Sequence, residues 1–178
     1  MHEDIAEVLL TEDEIHRRVG ELGRQITADY RGRDLLIVFI LKGALLFVAD
    51  LVRCVDLPVR LDFMVVSSYG RGASSPGSAR IVTDLRTDVH GRHVLLVEDI
   101  VDSGHTIREV LEHLLIRQPA SLRVCTLLDK PDRREVDLEL AYIGFTIPNV
   151  FVVGYCLDYN ERYRNLPYVG VLKPDVYA

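Results

Sequence analysis

Uninterrupted aliphatic runs, separated by helix-patterned segments, constrain this chain more than any other feature. DLLIVFIL (34–41), HVLLVE (93–98) and LRVCTLLD (122–129) are bounded by polar residues and carry little polar alternation. Such runs suit strands buried on both faces, as in a parallel sheet. VRLDFMVVSS (59–68), with Leu61, Phe63 and Val65 alternating, and NVFVVGY (149–155) also read as strands, and a short strand is expected at 168–172. KGALLFVADLVRCV (42–55) reads as a helix. IREVLEHLLIR (107–117) places Ile107, Val110, Leu111 and Leu114 on one helical face. Residues 11–30 begin with a capping-box pattern, Thr11 to Glu14, and then repeat Ile15, Val19, Leu22 and Ile26 at helical spacing. Strands alternating with helices predict an α/β fold whose mostly parallel twisted sheet is flanked by helices. A chain of 178 residues is long enough for one domain with a sizeable core. No linker divides it, so 1–178 is read as a single domain.

Charge and termini narrow the function. The net charge is −6, without the basic excess of a nucleic-acid-binding domain. The start, MHEDIAEVLL, carries acids where a signal peptide needs basic residues. No apolar run reaches the roughly 18 residues of a membrane span. Cys54, Cys125 and Cys156 are far apart in apolar contexts. They give neither a disulfide framework nor zinc spacing, and are read as buried reduced thiols. A cytoplasmic protein with no nucleic-acid or membrane partner is expected.

The stretch VLLVEDIVDSGHTIREVL (94–111) holds the chemistry. Glu98 and Asp99 are placed at the carboxyl end of a buried strand, where ligands of open α/β sheets bind. Inside the sheet each would cost several kcal/mol unless paired. Asp102, Ser103, Gly104, His105 and Thr106 then lead into a helix. Backbone N–H groups in such a turn form an anion nest, reinforced by the helix N-terminus. Hydroxyl acceptors and an anion site side by side suit a ribose 5-phosphate. A plain helix cap with two solvated acids accounts for one carboxylate and leaves the other two unexplained. Neither a Walker loop nor the GxGxxG fingerprint is present.

VLLVEDIVDSGHT resembles the phosphoribosyl-diphosphate signature of the type I phosphoribosyltransferases. LKG (41–43), SSYG (67–70), LLDKPDRR (127–134) and the segment FVVGYCLDYNERYRNLPYVGVLKPDVY (151–177) resemble the hypoxanthine-guanine branch, in family order. The resemblance implies a Rossmann-like core with a small hood lobe, partly from about 151–178, and a mobile active-site loop at about 67–79. That loop is rich in Ser and Gly and is long for a compact domain.

The resemblance also implies roles. Glu98 and Asp99 meet the ribose hydroxyls, and residues 102–106 hold the 5′-phosphate. Lys42 and Gly43 form the pyrophosphate loop, whose Leu41–Lys42 peptide can be cis, and Arg164 meets pyrophosphate through a guanidinium fork. Lys130 contacts the exocyclic oxygen of a 6-oxopurine; an ammonium only donates, so a 6-amino group is left unpaired. Phe151 stacks on the base, and Val152 and Asp158 complete the purine site. Glu98, Asp99 and Asp158 are the expected Mg²⁺ carboxylates. Ser68 and Tyr69 belong to the loop that closes over the site and excludes water. Asp102 is the expected acid/base partner of the purine imidazole ring.

The implied reaction displaces pyrophosphate from 5-phosphoribosyl 1-diphosphate by a purine ring nitrogen, Mg²⁺-dependent, in a homodimer or homotetramer. Alternatives are a phosphoribosyltransferase for xanthine or uracil, or a regulator that senses the sugar diphosphate and binds nucleic acid. Two features depart from the family pattern: Cys156, where Gly or Ala is expected, and the loop sequence RGASSPGSA (71–79).

Overall fold

The computed structural model describes residues 1–68 and 79–177. The proposed lid residue Tyr69 and most of the 67–79 segment lie outside the described residues, and Ser68 is placed in backbone only.

The chain forms β1 (Ile5–Leu10), α1 (Glu12–Asp29), β2 (Leu35–Leu41), α2 (Leu45–Arg53), β3 (Val59–Ser68) and β4 (Ala79–Thr83). It continues with β5 (His93–Val101), α3 (His105–Leu115), β6 (Ser121–Asp129), β7 (Tyr142–Thr146), β8 (Val152–Val153), β9 (Val169–Leu172) and α4 (Pro174–Tyr177). Six strands make the central sheet in the order β4-β3-β2-β5-β6-β7. All its neighbours are parallel except β3 and β4. A second sheet, β1-β9-β8, is antiparallel and drawn from both ends of the chain.

The aliphatic runs behave as expected of strands covered on two sides. In β2, Leu35 and Ile37 enter the core beneath α1 and α2, whereas Leu36, Val38 and Ile40 enter the core beneath α3. In β5, Leu95 and Val97 face the first core, and Val94 and Leu96 the second. The α1 start is also as expected: the Glu14 N–H donates to Thr11 Oγ1 at 3.3 Å, and the Thr11 N–H donates to Glu14 Oε2 at 2.9 Å. The buried face of α1 is Ile15, Val19, Leu22, Gly23 and Ile26.

Several expectations need correction. β5 runs on to Val101, so Glu98 and Asp99 lie within a strand and not at its end. NVFVVGY contributes only the two residues of β8. A turn precedes them, with the Val150 N–H on Pro148 O, and left-handed residues Gly154, Tyr155 and Cys156 follow. Cys54, at the C-cap of α2 and past its buried face, is exposed; Cys125 and Cys156 are buried. β1, β4 and β7 are strands that the sequence reading did not mark.

Arg18 ties α1 to β7. Its Nε donates to Gly144 O at 2.9 Å and its Nη2 to Ile143 O at 2.7 Å. Hydrogen bonds from a charged donor are worth about 1.5–3 kcal/mol. Arg18→Met keeps the apolar stem and removes both donors. It is expected to lower unfolding free energy by about 1–3 kcal/mol, read as a lower urea midpoint with an unchanged slope.

Candidate active site

The site forms where β5 outruns its neighbour. β2 pairs with β5 only as far as Phe39 opposite Val97. β6 stays alongside until Val101 opposite Asp129. Glu98 and Asp99 therefore lie beyond the last β2 partner, with one flank of β5 open to the loop after β2. That loop presses directly on Asp99. A Cβ built on Gly43 would fall 2.0 Å from Asp99 Oδ2, so no side chain fits there. The Leu41–Lys42 peptide just before it is cis.

Glu98 and Asp99 are both buried. Glu98 Oε1 accepts the Asp99 N–H at 3.1 Å, and Asp99 Oδ1 accepts the Ile100 N–H at 2.8 Å. Burial, reinforced by the adjacent Asp99 carboxylate, raises the Glu98 carboxyl well above the usual glutamate range.

Two cavities share Asp99 and Asp102 as walls. The smaller, of about 280 Å³, is lined by Glu98, Ser103, Gly104 and Thr106 among others. Gly104 takes a left-handed φ of 91° and precedes α3, whose first turn receives no side-chain cap. The orphan N–H groups of that turn are thus left for an anion. Asp102 and Ser103 do not cap the helix, which sets aside the plain-cap alternative. The His105 side chain turns away from the cavity, its Nε2 lying 2.8 Å from Glu135 Oε2. The Glu135 N–H donates to Ser103 O at 3.0 Å, bracing the turn from behind.

The larger cleft, of about 580 Å³, brings together Lys42, Gly43, Asp99, Asp102, Lys130, Phe151, Val152, Asp158 and Arg164. Lys130 is buried, and its Nζ donates to Val150 O at 2.7 Å. Burial depresses its ammonium below the usual lysine range, with Asp102 opposing. Asp102 Oδ2 is 3.9 Å from Lys130 Nζ, and Asp102 Oδ1 accepts from Arg133 Nε at 3.1 Å. Arg134 donates to Asp102 O at 3.2 Å and also pairs with Asp129. Phe151 is partly exposed to the cleft and stacks on Tyr177, with centroids 4.8 Å apart.

The segment 154–166 closes the far wall. Tyr155, Cys156, Asn160, Glu161 and Tyr163 all take positive φ there. Such conformations cost of order 1–3 kcal/mol each and gather at functional sites. Arg164 is held at both ends of its guanidinium: Nη1 donates to Cys156 O at 2.7 Å, and Nη2 pairs with Asp158 Oδ1 at 2.8 Å. The Cys156 thiol donates to Lys42 O at 3.2 Å, linking this segment to the loop after β2. Sequence reasoning missed Glu161, which pairs with Lys42 at 2.9 Å and Arg164 at 3.3 Å. It also missed Arg133, although the LLDKPDRR motif contains it.

Among the described residues, no three His, Cys, Asp or Glu side chains converge as a metal cage. The expected set of Glu98, Asp99 and Asp158 does not form one. Glu98 is buried against the Asp99 amide and lines the smaller cavity, whereas Asp158 faces the cleft beside Arg164. Asp99 and Asp158 do share the cleft. Mg²⁺ keeps several waters and needs only one or two protein carboxylates beside substrate oxygens. These two fit such an ion.

The raised Glu98 carboxyl has a stability consequence. Below the unfolded glutamate value both states are protonated, and nothing is lost. As pH rises toward the folded value, only the unfolded chain releases its proton, so stability falls. Glu98→Gln removes that loss. It is expected to raise Tm at pH 7 and to leave Tm at pH 4 nearly unchanged. Calorimetry at the two pH values checks this.

The comparisons with known proteins agree with this geometry. The profile of the phosphoribosyl transferase domain matches residues 7–160. The hypoxanthine-guanine phosphoribosyltransferase of Mycobacterium tuberculosis (strain ATCC 25618 / H37Rv) is 56% identical over 180 residues, covering 98% of this chain and 89% of that protein. The bifunctional protein TilS/HprT of Listeria monocytogenes serotype 4b (strain F2365) is 51% identical over 178 residues; it covers all of this chain, which spans only 28% of that protein's length. A crystal structure of a hypoxanthine phosphoribosyltransferase from Staphylococcus aureus superposes with a TM-score of 0.95 at 49% identity, covering 100% of this chain and 97% of that one. With the profile spanning most of the chain and relatives matching it end to end, the chain belongs to the phosphoribosyltransferase family, in its hypoxanthine-guanine branch.

Proposed function

We propose that the protein is a purine-salvage phosphoribosyltransferase that joins hypoxanthine or guanine to 5-phosphoribosyl 1-diphosphate, giving IMP or GMP and pyrophosphate. The observation that carries this reading is Lys130. It is a buried ammonium in the cleft, near Asp102, with one proton given to Val150 O. Its remaining donors suit a 6-oxo group and have nothing to offer a 6-amino group. Phe151 supplies a face for the purine, and Val152 supplies backbone to its edge.

The sugar phosphate occupies the smaller cavity. The 5′-phosphate takes the uncapped amides of the α3 N-terminus with the Ser103 and Thr106 hydroxyls, and the ribose hydroxyls donate to Asp99 and meet Glu98. Lys42, the Gly43 amide and Arg164 bind the diphosphate. The bond between the anomeric carbon and the diphosphate oxygen breaks, and a bond from that carbon to the purine nitrogen forms. The purine loses its imidazole proton toward Asp102, whose carboxylate is oriented by Arg133 and Lys130. Charge leaving with the diphosphate is met by Lys42 and Arg164. Mg²⁺, held through Asp99 and Asp158, would neutralise diphosphate charge when bound. A cytoplasmic homodimer or homotetramer made of one domain, its hood lobe partly from 151–178, completes the reading. No helix among the described residues is long and apolar enough to cross a membrane.

Pyrophosphate release with Mg²⁺ is expected for hypoxanthine and guanine, and not for adenine or uracil. Turnover with adenine or uracil alone would refute the Lys130 assignment. Lys130→Met should lower kcat/KM for hypoxanthine about 10- to 150-fold, the loss of one charged hydrogen bond. The KM for 5-phosphoribosyl 1-diphosphate should change little.

A further inference from the structure

Lys42 and Arg164, the two cations assigned to the diphosphate, are not idle in the structure. Glu161 pairs with both at once, sharing Arg164 Nη2 with Asp158 Oδ1 at 2.8 Å. Its Oε2 lies 2.9 Å from Lys42 Nζ and its Oε1 lies 3.3 Å from Arg164 Nη2. The two cations come from separate parts of the chain, one after β2 and one in the 154–166 segment. A single planar anion therefore spans the gap between them, one oxygen to each, as a phosphoryl group would. Glu161 is held at the cleft by its backbone: φ is 61°, and its N–H donates to Asp158 Oδ2 at 2.8 Å. Its side chain is 66% exposed, so it can swing into water without unpacking anything.

We propose that Glu161 is an affinity-setting residue that stands in for pyrophosphate in the free protein, bridging the cation pair until the diphosphate displaces it. The inference rests on the active-site reading above. An incoming diphosphate must break both ion pairs and then share the cleft with the released carboxylate. Both terms weaken binding of substrate and product alike. Product release gains what substrate binding loses. The bridge also keeps Lys42 and Arg164 from drifting apart between turnovers.

Glu161→Gln keeps the size of the side chain and removes its charge. Because the residue is exposed, the variant is expected to fold. Exposed ion pairs are individually weak, so removing two should tighten pyrophosphate binding about three- to tenfold. Calorimetric titration with inorganic pyrophosphate in the presence of Mg²⁺ measures it, alongside steady-state kinetics. The KM for 5-phosphoribosyl 1-diphosphate should fall in step, and the KM for hypoxanthine should not move. Glu12→Gln, which removes an equal charge at the start of α1, should leave pyrophosphate affinity unchanged. Unchanged or weaker binding in Glu161→Gln overturns the inference, as does an equal gain in Glu12→Gln. Failure of the unmodified protein to bind pyrophosphate would overturn the active-site reading itself.

Discussion

The close approach of Gly43 to the Asp99 carboxylate is the contact on which the rest of the site depends. It brings the loop after β2 against the far end of β5, two segments whose strands have already stopped pairing. Any side chain at position 43 would push them apart. With the loop in place, Lys42 stands at the cleft wall opposite the 154–166 segment, and the Cys156 thiol and Glu161 carboxylate can reach it. The departure at position 156 thus has a structural role: a thiol donates to Lys42 O where a Gly or Ala side chain would offer no donor.

Most charges in and around the cleft pair with one another. Arg133 and Lys130 face Asp102; Arg164 and Lys42 share Glu161, with Asp158 beside Arg164; His105 meets Glu135. Taking a charge out of water without a partner costs several kcal/mol. The free protein avoids that cost by pairing, and each pair also fixes a side chain near the position from which it would meet ligand. Glu98 and Asp99, buried side by side, have no ion pair among the described residues, and burial raises the Glu98 carboxyl well above the usual glutamate range.

Much of this was readable in the sequence because burial and period leave marks there. β2, β6, α1 and α3 follow their aliphatic patterns to within a few residues, and the capping box fixed the start of α1. The limits of β5 and β8 were not readable. Glu98 and Asp99 look like a strand end, yet β5 continues because β6 keeps pairing with it. NVFVVGY looks like one strand, but positive φ from Gly154 to Cys156 ends it early. β1 and β7 lack a clear alternation, since their exposure depends on distant partners, β9 and β6. The recognised motifs pointed to Lys42, Asp102, Lys130, Phe151, Asp158 and Arg164, and the fold gathers all six in one cleft. Glu161 escaped notice because its meaning lies in two contacts, one of them 119 residues away in the chain.

The β1-β9-β8 sheet couples residues near the start of the chain to residues near its end, with Ile5 opposite Leu172. On a ribosome the six-stranded sheet has all its strands once residue 146 has emerged. At that moment β1 has been synthesised for more than a hundred residues and still has no partner. Its hydrogen-bonding edges stay open until β9 appears. The three-stranded sheet is therefore completed only after the six-stranded one has all its strands. A nascent chain can have a finished six-stranded core while its first strand still waits for a partner.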